Sequence, residues 1–480
     1  MIKICKYDSL HIQINTDNIQ YLRDVRDYFS DYVEGFMHMP AFKNTGWDGK
    51  VSMLNLSKRT LPYGLLLDLI RFHKREYQNL ELKIEEDVLR MLKGKELHPV
   101  YNLKHVPHYY QDDCIQSALH YTKGIIRAAT ASGKSLIISY IIKTLFENHV
   151  CKKALIIVPT ISLVEQFYND MLEYGYFKES MLGRVYEKYK DFDRMVVIST
   201  WQTLSKNHRI LPEFDCVVCD ETHGAKAYEV KKILEKTTNA TYRLGFTGTL
   251  PDSKVDNWNV KSFIGPVIRE YGAGQLGNEG YISKANIIVV DVKYQNEYSG
   301  TYDEVKELIF QNPFRLNVLK EIASSVDGNI LFLVGMVERE GEVLKDYLQK
   351  NIERKDIIFL YGASKVEERE FWRKECEVRK DVVLIATYGI FQQGINIPSL
   401  KYIVLASPYK SKIRVLQSIG RGLRQHETKK DGAYIFDIFD DVKYLYDHGI
   451  KRERHYHKEG FDVRDIVVQE GDVIDGIFRI

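Results

Sequence analysis

The sequence has no global excess of charge, with 68 Lys and Arg against 66 Asp and Glu. A protein gripping nucleic acid over its whole surface would be strongly basic, so any nucleic-acid track must be a local patch. No apolar run is long enough to cross a bilayer as a helix, which excludes a membrane-spanning class of that kind. Cysteine is scarce: Cys5, Cys114, Cys151, Cys216, Cys219 and Cys376 are scattered without the spacing of a disulfide framework, which suits a reducing cytoplasm. The opening Met1 to Tyr7 alternates like a strand and does not read as a signal peptide, so a cytoplasmic protein is expected. Internal repeats, low-complexity segments and a paired-carboxylate-and-lysine nuclease pattern are also missing.

What is there is an ordinary globular composition, 44% hydrophobic and 28% charged. The 480 residues exceed what one core can hold and suit about three domains. From Ile125 onward, short apolar runs alternate with amphipathic stretches, the βαβ pattern of a parallel sheet. One series of strands is predicted at 124–128, 154–158, 195–199, 216–219 and 243–246, and a second at 329–334, 356–360, 382–386, 402–406 and 433–436. The fold expected is therefore α/β, with two doubly wound parallel-sheet domains in tandem and about five strands in each. A glycine-interrupted stretch, Gly272 to Lys284, marks the join. A small α+β domain is expected ahead of them, giving boundaries of 1–96, 97–280 and 281–455, with 456–480 as an extension.

Three stretches carry chemistry. After the strand ending near Ala128, the small residues Thr130, Ala131, Ser132 and Gly133 precede Lys134 and Ser135 at a helix start. Small residues let backbone N–H groups close around phosphates, the helix N-terminus adds partial positive charge, Lys134 meets the β/γ oxygens and Ser135 ligates Mg²⁺. This is a Walker A loop with Ala128 in place of the usual first glycine. Asp220 and Glu221 follow the apolar run Cys216 to Cys219, so their carboxylates are expected at a strand's carboxyl end, where open α/β sheets bind ligands. Asp220 would hold Mg²⁺ and Glu221 would orient and deprotonate the attacking water, with His223 relaying the nucleotide state. Zinc is the competing reading of Cys216, Cys219 and His223. Residues i and i+3 of a strand point to opposite faces and no second ligand pair follows, so the zinc reading is disfavoured. Gln417, Arg421 and Arg424 are spaced to share one helix face, with Gly420 and Gly422 between them at a cost of roughly 1 kcal/mol each. The functional reading makes Arg421 and Arg424 arginine fingers that reach across an interdomain cleft to the γ-phosphate.

With these motifs in this order, residues 107–426 resemble a superfamily 2 helicase, which implies RecA-like domains, ATP, Mg²⁺ and a nucleic-acid track. The resemblance implies adenine reading by Gln111. It also implies strand-phosphate contacts by Pro159 and Thr160, by Thr200, Trp201 and Gln202, and by Thr387. Thr247 and Thr249 take the place of the motif that couples hydrolysis to domain movement. Gly394 and Asn396 would face the nucleotide, Asn396 standing where the family usually has Asp.

Within the superfamily, Tyr28-Phe29-Ser30, Gly46-Trp47-Asp48-Gly49-Lys50 and Leu61-Pro62-Tyr63-Gly64-Leu65 resemble phage UvsW-type recombination helicases. That resemblance implies branched or forked duplex DNA as the partner, R-loop RNA:DNA hybrid as a further one, and action in the host cytoplasm. A monomer working beside recombination or replication proteins is expected. Lys43, Lys50, Lys58 and Arg59, interleaved with Phe42 and Trp47, read equally as a phosphate-and-stacking platform or as a solvated hairpin with a core tryptophan. The basic run Lys451 to Lys458 reads more readily as a solvated helix face than as more track. An RNA helicase, a restriction motor and a nucleotide-gated clamp are the competing functional classes.

Overall fold

The computed structural model describes residues 1–91, 93–221, 227–296, 298–393, 397–407 and 412–479. They form two compact units, residues 1–128 with 133–271, and residues 272–480 with 129–132.

The first unit begins with strands β1 Ile2–Lys6, β2 His11–Asn15, β3 Ser30–Tyr32, β4 Lys50–Ser52, β5 Thr60–Pro62 and β6 Leu82–Ile84. Four of them form a mixed sheet in the order β5-β2-β1-β6, while β3 and β4 pair as a separate hairpin. Alternation sends Ile2, Ile4, Ile12 and Ile14 to one buried face, where they meet Leu22 and Val25, and Leu69 and Phe72, of two amphipathic helices. This small domain does not stand alone. Trp258, from the helix Lys254–Ile264, is part of its core, Tyr63 donates to the Ile264 carbonyl, and Lys261 pairs with Asp68 at 2.9 Å. Gly64 allows the approach, since a Cβ there would collide with the Lys261 carbonyl.

Seven further strands follow: β7 Lys123–Ala128, β8 Ala154–Val158, β9 Leu182–Val185, β10 Val196–Thr200, β11 Cys216–Asp220, β12 Tyr242–Thr247 and β13 Val267–Tyr271. They pair in parallel in the order β13-β7-β12-β11-β8-β10-β9. Both faces are covered, which explains the continuous apolar runs. Ile126, Ile156, Ile198 and Val218 enter one core, while Ile125, Leu155, Val197 and Val217 enter the other.

The second unit contains β14 Ala285–Lys293, β15 Ile330–Val334, β16 Asp356–Leu360, β17 Val382–Thr387, β18 Tyr402–Leu405, β19 Ala433–Asp440 and β20 Asp462–Gln469. These also pair in parallel, in the order β16-β17-β15-β18-β19-β14-β20. Each large sheet thus has seven strands where about five were expected. The additions are β9, β13 and β20, which lie at sheet edges, and β14, which follows the glycine-rich stretch. Residues 462–469, expected in an extension, are a strand of the second sheet.

The basic run before them is not a solvated face throughout. Arg452 and Tyr456 are buried in the helix Leu445–Glu459, and both bond Asp437, Arg452 through Nε at 2.8 Å and Tyr456 at 2.6 Å. Burial of a guanidinium is tolerable here because the Asp437 carboxylate meets it directly, and the Tyr456 phenol donates to that same carboxylate.

Candidate active site

The order of the first large sheet decides which loops meet. β12 lies between β7 and β11, so the loops leaving their carboxyl ends are neighbours: the Walker loop, Thr247 to Thr249, and Asp220-Glu221. At the first, Ala131 and Gly133 both adopt left-handed backbone, φ 70° and 77°, immediately before the helix Lys134–Glu147. Left-handed residues beside right-handed ones turn successive N–H groups toward one point and make an anion nest. Gln111 is buried and lies over Gly133, where any Cβ would strike its side-chain nitrogen. Its Oε1 accepts from the His108 N–H at 2.9 Å, which fixes the amide.

Lys134 is bracketed by the Ala128 carbonyl at 3.4 Å and Glu221 Oε1 at 4.0 Å. Glu221 holds φ 52°, an uncommon conformation for a residue with a Cβ and one that concentrates at functional sites. Beside it Asp220 is buried, and its Oδ1 has no hydrogen-bond partner among the described residues. Burial, and then the like charge of Glu221, push the Asp220 carboxyl up to about 7, while Lys134 opposes the rise. An orphaned carboxylate oxygen at a phosphate-binding loop fits a divalent cation, which needs hard oxygen ligands. Ser135 and Asp220 are the side chains that would hold it. Ser135 Oγ lies 2.7 Å from the phenol oxygen of Tyr174, a residue with no motif around it.

Zinc does not fit. Cys216 and Cys219 fall in different cores on opposite faces of the sheet. Burial pushes the Cys219 thiol up to about 12 and Cys216 well above its usual value, whereas zinc takes thiolates. Among the described residues no three His, Cys, Asp or Glu side chains form a metal cluster, and His223 lies outside them.

Thr247 is fully buried, donating to the Thr249 carbonyl at 2.6 Å and accepting from the Thr249 N–H at 3.2 Å. This closes a tight turn between the Walker loop and the acidic pair. Thr160 caps the helix Ile161–Glu173, accepting from Leu163 N–H at 3.3 Å. Thr200 caps the helix Trp201–Leu204, accepting from Thr203 N–H at 3.4 Å. A capping hydroxyl accepts with a lone pair, so these threonines build the loops on which Pro159, Trp201 and exposed Gln202 sit.

In the small domain, Trp47 is half-buried and donates to the Lys50 carbonyl at 2.7 Å, so it is not a core residue. The excursion joining β3 to β4 carries Tyr32 stacked on Phe36, Phe36 edge-on to Phe42, and the Lys50 ammonium 4.9 Å over the Tyr32 ring. Tyr32 and Phe42 are exposed despite their size.

In the second unit, Thr387 ends β17 and is half-buried. Gly394 and Asn396 lie outside the described residues, as does the Gln417 side chain. Arg421 is in the last turn of the helix Lys412–Gly422, but Arg424 is beyond its end, so the shared helix face expected for the three residues stops at Arg421. The reason is local: Lys429 donates to the Gly422 and Arg424 carbonyls at 2.7 and 3.1 Å, and Ser283 Oγ to the Arg424 carbonyl at 3.1 Å. These donors satisfy carbonyls that a continuing helix would use. The two glycines are explained by close approach. A Cβ at Gly422 would come within 2.5 Å of Ile403, and one at Gly420 within 2.5 Å of Thr130, which belongs to this unit.

Comparison with known proteins follows the same division. Residues 1–85 match the family model "DNA helicase UvsW, N-terminal", residues 104–252 "Type III restriction enzyme, res subunit", and residues 315–426 "Helicase conserved C-terminal domain". The chain is 27% identical to the ATP-dependent DNA helicase uvsW of Enterobacteria phage T4, over 96% of this chain and 98% of that one. It is 23% identical to the DNA 3'-5' translocase XPB2 of Sulfurisphaera tokodaii, over 78% and 91%. The crystal structure of T4 UvsW superposes with a TM-score of 0.50 at 26% identity, covering 98% and 99% of the two chains. Two parallel sheets in tandem, the Walker and acidic loops at adjacent strand ends, and full-length similarity that includes the small first domain lead to one assignment: the chain is a UvsW-like superfamily 2 helicase.

Proposed function

We propose that this protein hydrolyses ATP to drive movement on DNA and remodels branched DNA, regressing forks, migrating four-way junctions and displacing RNA from R-loops. The observation that carries the reading is the meeting of Lys134, Glu221 and the orphaned Asp220 oxygen beside the Walker nest. These are the groups phosphoryl transfer needs, placed at adjacent strand ends. Lys134 and the nest N–H groups bind and orient the phosphates. Glu221 orients the attacking water and takes its proton, and Arg421 and Arg424 supply guanidinium charge suited to the transferring phosphoryl group. A bound Mg²⁺ supplies charge neutralisation across the phosphate oxygens, and Ser135 and Asp220 would hold it. Gln111, fixed over Gly133, suits recognition of the base.

DNA rather than RNA is supported by the likeness to an ATP-dependent DNA helicase along nearly the whole chain. A branched substrate is supported by the small first domain, whose excursion offers Trp47, Tyr32, Phe42 and Lys50 as a stacking surface beside a cation. Pro159, Thr160, Thr200, Trp201, Gln202 and Thr387, at strand ends of the two large sheets, are the proposed strand contacts.

The test is the ATP hydrolysis rate without nucleic acid and with single-stranded DNA, duplex DNA, a four-way junction and structured RNA, at one salt concentration. Strongest stimulation by the junction supports the proposal. Preference for RNA makes the protein an RNA helicase, and no turnover on any substrate leaves a nucleotide-gated clamp.

A further inference from the structure

Ser135 is where a residue outside every motif enters the site. Its hydroxyl has one hydrogen and two lone pairs. If a lone pair is to meet a cation, the hydrogen must point away from it. The phenol oxygen of Tyr174, at 2.7 Å, is an acceptor in position to take that hydrogen. In the opposite arrangement, with the phenol donating, the serine hydrogen is free to turn toward the cation and repel it.

Tyr174 is itself held from several sides. Its N–H donates to the Asp170 carbonyl at 3.0 Å, at the end of the helix capped by Thr160. Its carbonyl accepts from the Lys104 N–H at 3.1 Å. The His105 ring stands edge-on to the phenol, with centroids 5.9 Å apart. The preceding Glu173 pairs with Lys104 at 3.2 Å and lies 3.7 Å from His105. The segment thus clamped, residues 104–105, leads directly to Gln111. A phenol anchored through its own backbone, its ring and its neighbour is a fixed reference for the serine hydroxyl, in the way outer partners orient metal ligands elsewhere.

We propose that Tyr174 is a positioning residue for the Walker serine: by accepting the Ser135 hydroxyl hydrogen it aims a lone pair at the divalent cation that accompanies ATP. This rests on the ATPase reading above. Tyr174 does not touch the nucleotide or the cation and takes no part in the chemical step.

The test is equilibrium binding of a fluorescent ATP analogue to the full-length protein, in EDTA and across a Mg²⁺ titration, for wild type, Y174F, S135A and the double variant. Y174F keeps the ring and its packing and removes only the acceptor oxygen. Affinity in EDTA is expected to stay within about twofold of wild type, while the Mg²⁺ concentration at half-maximal enhancement rises about 10-fold. In the S135A background Y174F is expected to add no further shift, because the group it orients is gone. An unchanged Mg²⁺ midpoint in Y174F overturns the proposal and leaves the ATPase reading standing. So does an equal Y174F shift with and without Ser135. A wild-type protein whose nucleotide binding ignores Mg²⁺ overturns both. A global folding defect would lower affinity in EDTA as well, which separates it from the expected result.

Discussion

Lys429 donates to the backbone carbonyl of Arg424 at 3.1 Å, although neither its position nor its surroundings resemble a helicase motif. The same ammonium holds Gly422, and Ser283 holds Arg424 from a second direction. Arg424 is thus located by its main chain beyond the helix that carries Arg421. Replacing Lys429 by Met removes two donors and leaves the guanidinium in place. If Arg424 acts on the phosphoryl group as proposed, kcat should fall about 10-fold, since small displacements of a catalytic group are costly, with ATP affinity within about twofold of wild type. Steady-state kinetics with an independent binding titration separate the two, and equal losses in both would mean that Lys429 only supports the fold.

That pair also marks where the sequence stops being legible. Buried strands announce themselves, because cover on both faces demands an uninterrupted apolar run such as Ala154–Val158. Edge strands are legible only when they are apolar, as Asp356–Leu360 is, and two of the others are not. Leu182–Val185 contains Gly183 and Arg184, the latter paired with Glu165, and Asp462–Gln469 interrupts its apolar residues with Asp462, Arg464 and Asp465. Ala285–Lys293 is apolar enough to read, yet it follows a glycine-rich stretch and pairs with strands far along the chain. In the site, Lys134, Ser135, Asp220 and Glu221 are legible because phosphate and cation chemistry restricts residue type and spacing. Tyr174, Ser283 and Lys429 act on a hydroxyl or a carbonyl that many residues could reach, so only the fold reveals them.

Glu221 stands 4.0 Å from Lys134 on a left-handed backbone and is the residue proposed to handle the attacking water. Exchange for Gln keeps shape and hydrogen bonding but removes the base. Hydrolysis should drop about 10²- to 10⁴-fold with ATP binding retained. The variant should also accumulate as a nucleotide-bound complex on DNA, seen as slower dissociation in ATP than without it. Normal turnover would reassign the base.

Lys123 is buried where the small domain meets the first large sheet, donating to the Ser9 carbonyl at 3.0 Å with its ammonium 4.9 Å over the Tyr63 ring. Desolvation, then the charges of Arg243 and Lys6, push it down to about 8, with Asp8 opposing. Below pH 8 both folded and unfolded chains carry the proton, and the folded one bears the desolvation cost. Between about 8 and 10.5 the unfolded chain still binds a proton that the folded chain has released, so this group's contribution to stability rises with pH. The drop from 10.5 to about 8 corresponds to about 3 kcal/mol, less about 1 kcal/mol for the hydrogen bond that Met cannot make. K123M should therefore be more stable than wild type by about 2 kcal/mol at pH 7, and that advantage should shrink through pH 8 to 10 in paired denaturant titrations. A difference independent of pH would show that Lys123 is not desolvated.

Lys50 is exposed on the β3–β4 hairpin, its ammonium beside the Tyr32 ring and its carbonyl holding Trp47. A cation so placed can neutralise a phosphate while the neighbouring rings meet bases, and the two roles predict different signatures. Phosphate neutralisation releases counterions, so Lys50→Ala should weaken duplex binding about equally for every sequence and reduce the slope of log affinity against log salt by about 1. Trp47→Ala should leave that slope unchanged. If Trp47 stacks on bases, it should cost about 1 to 3 kcal/mol on junctions with unpaired bases and little on continuous duplex. Fluorescence anisotropy on both DNAs at several salt concentrations measures all four quantities. An unaltered salt slope in K50A would remove Lys50 from the track, and equal Trp47→Ala losses on junction and duplex would make Trp47 a scaffold for the hairpin rather than a reader of branches.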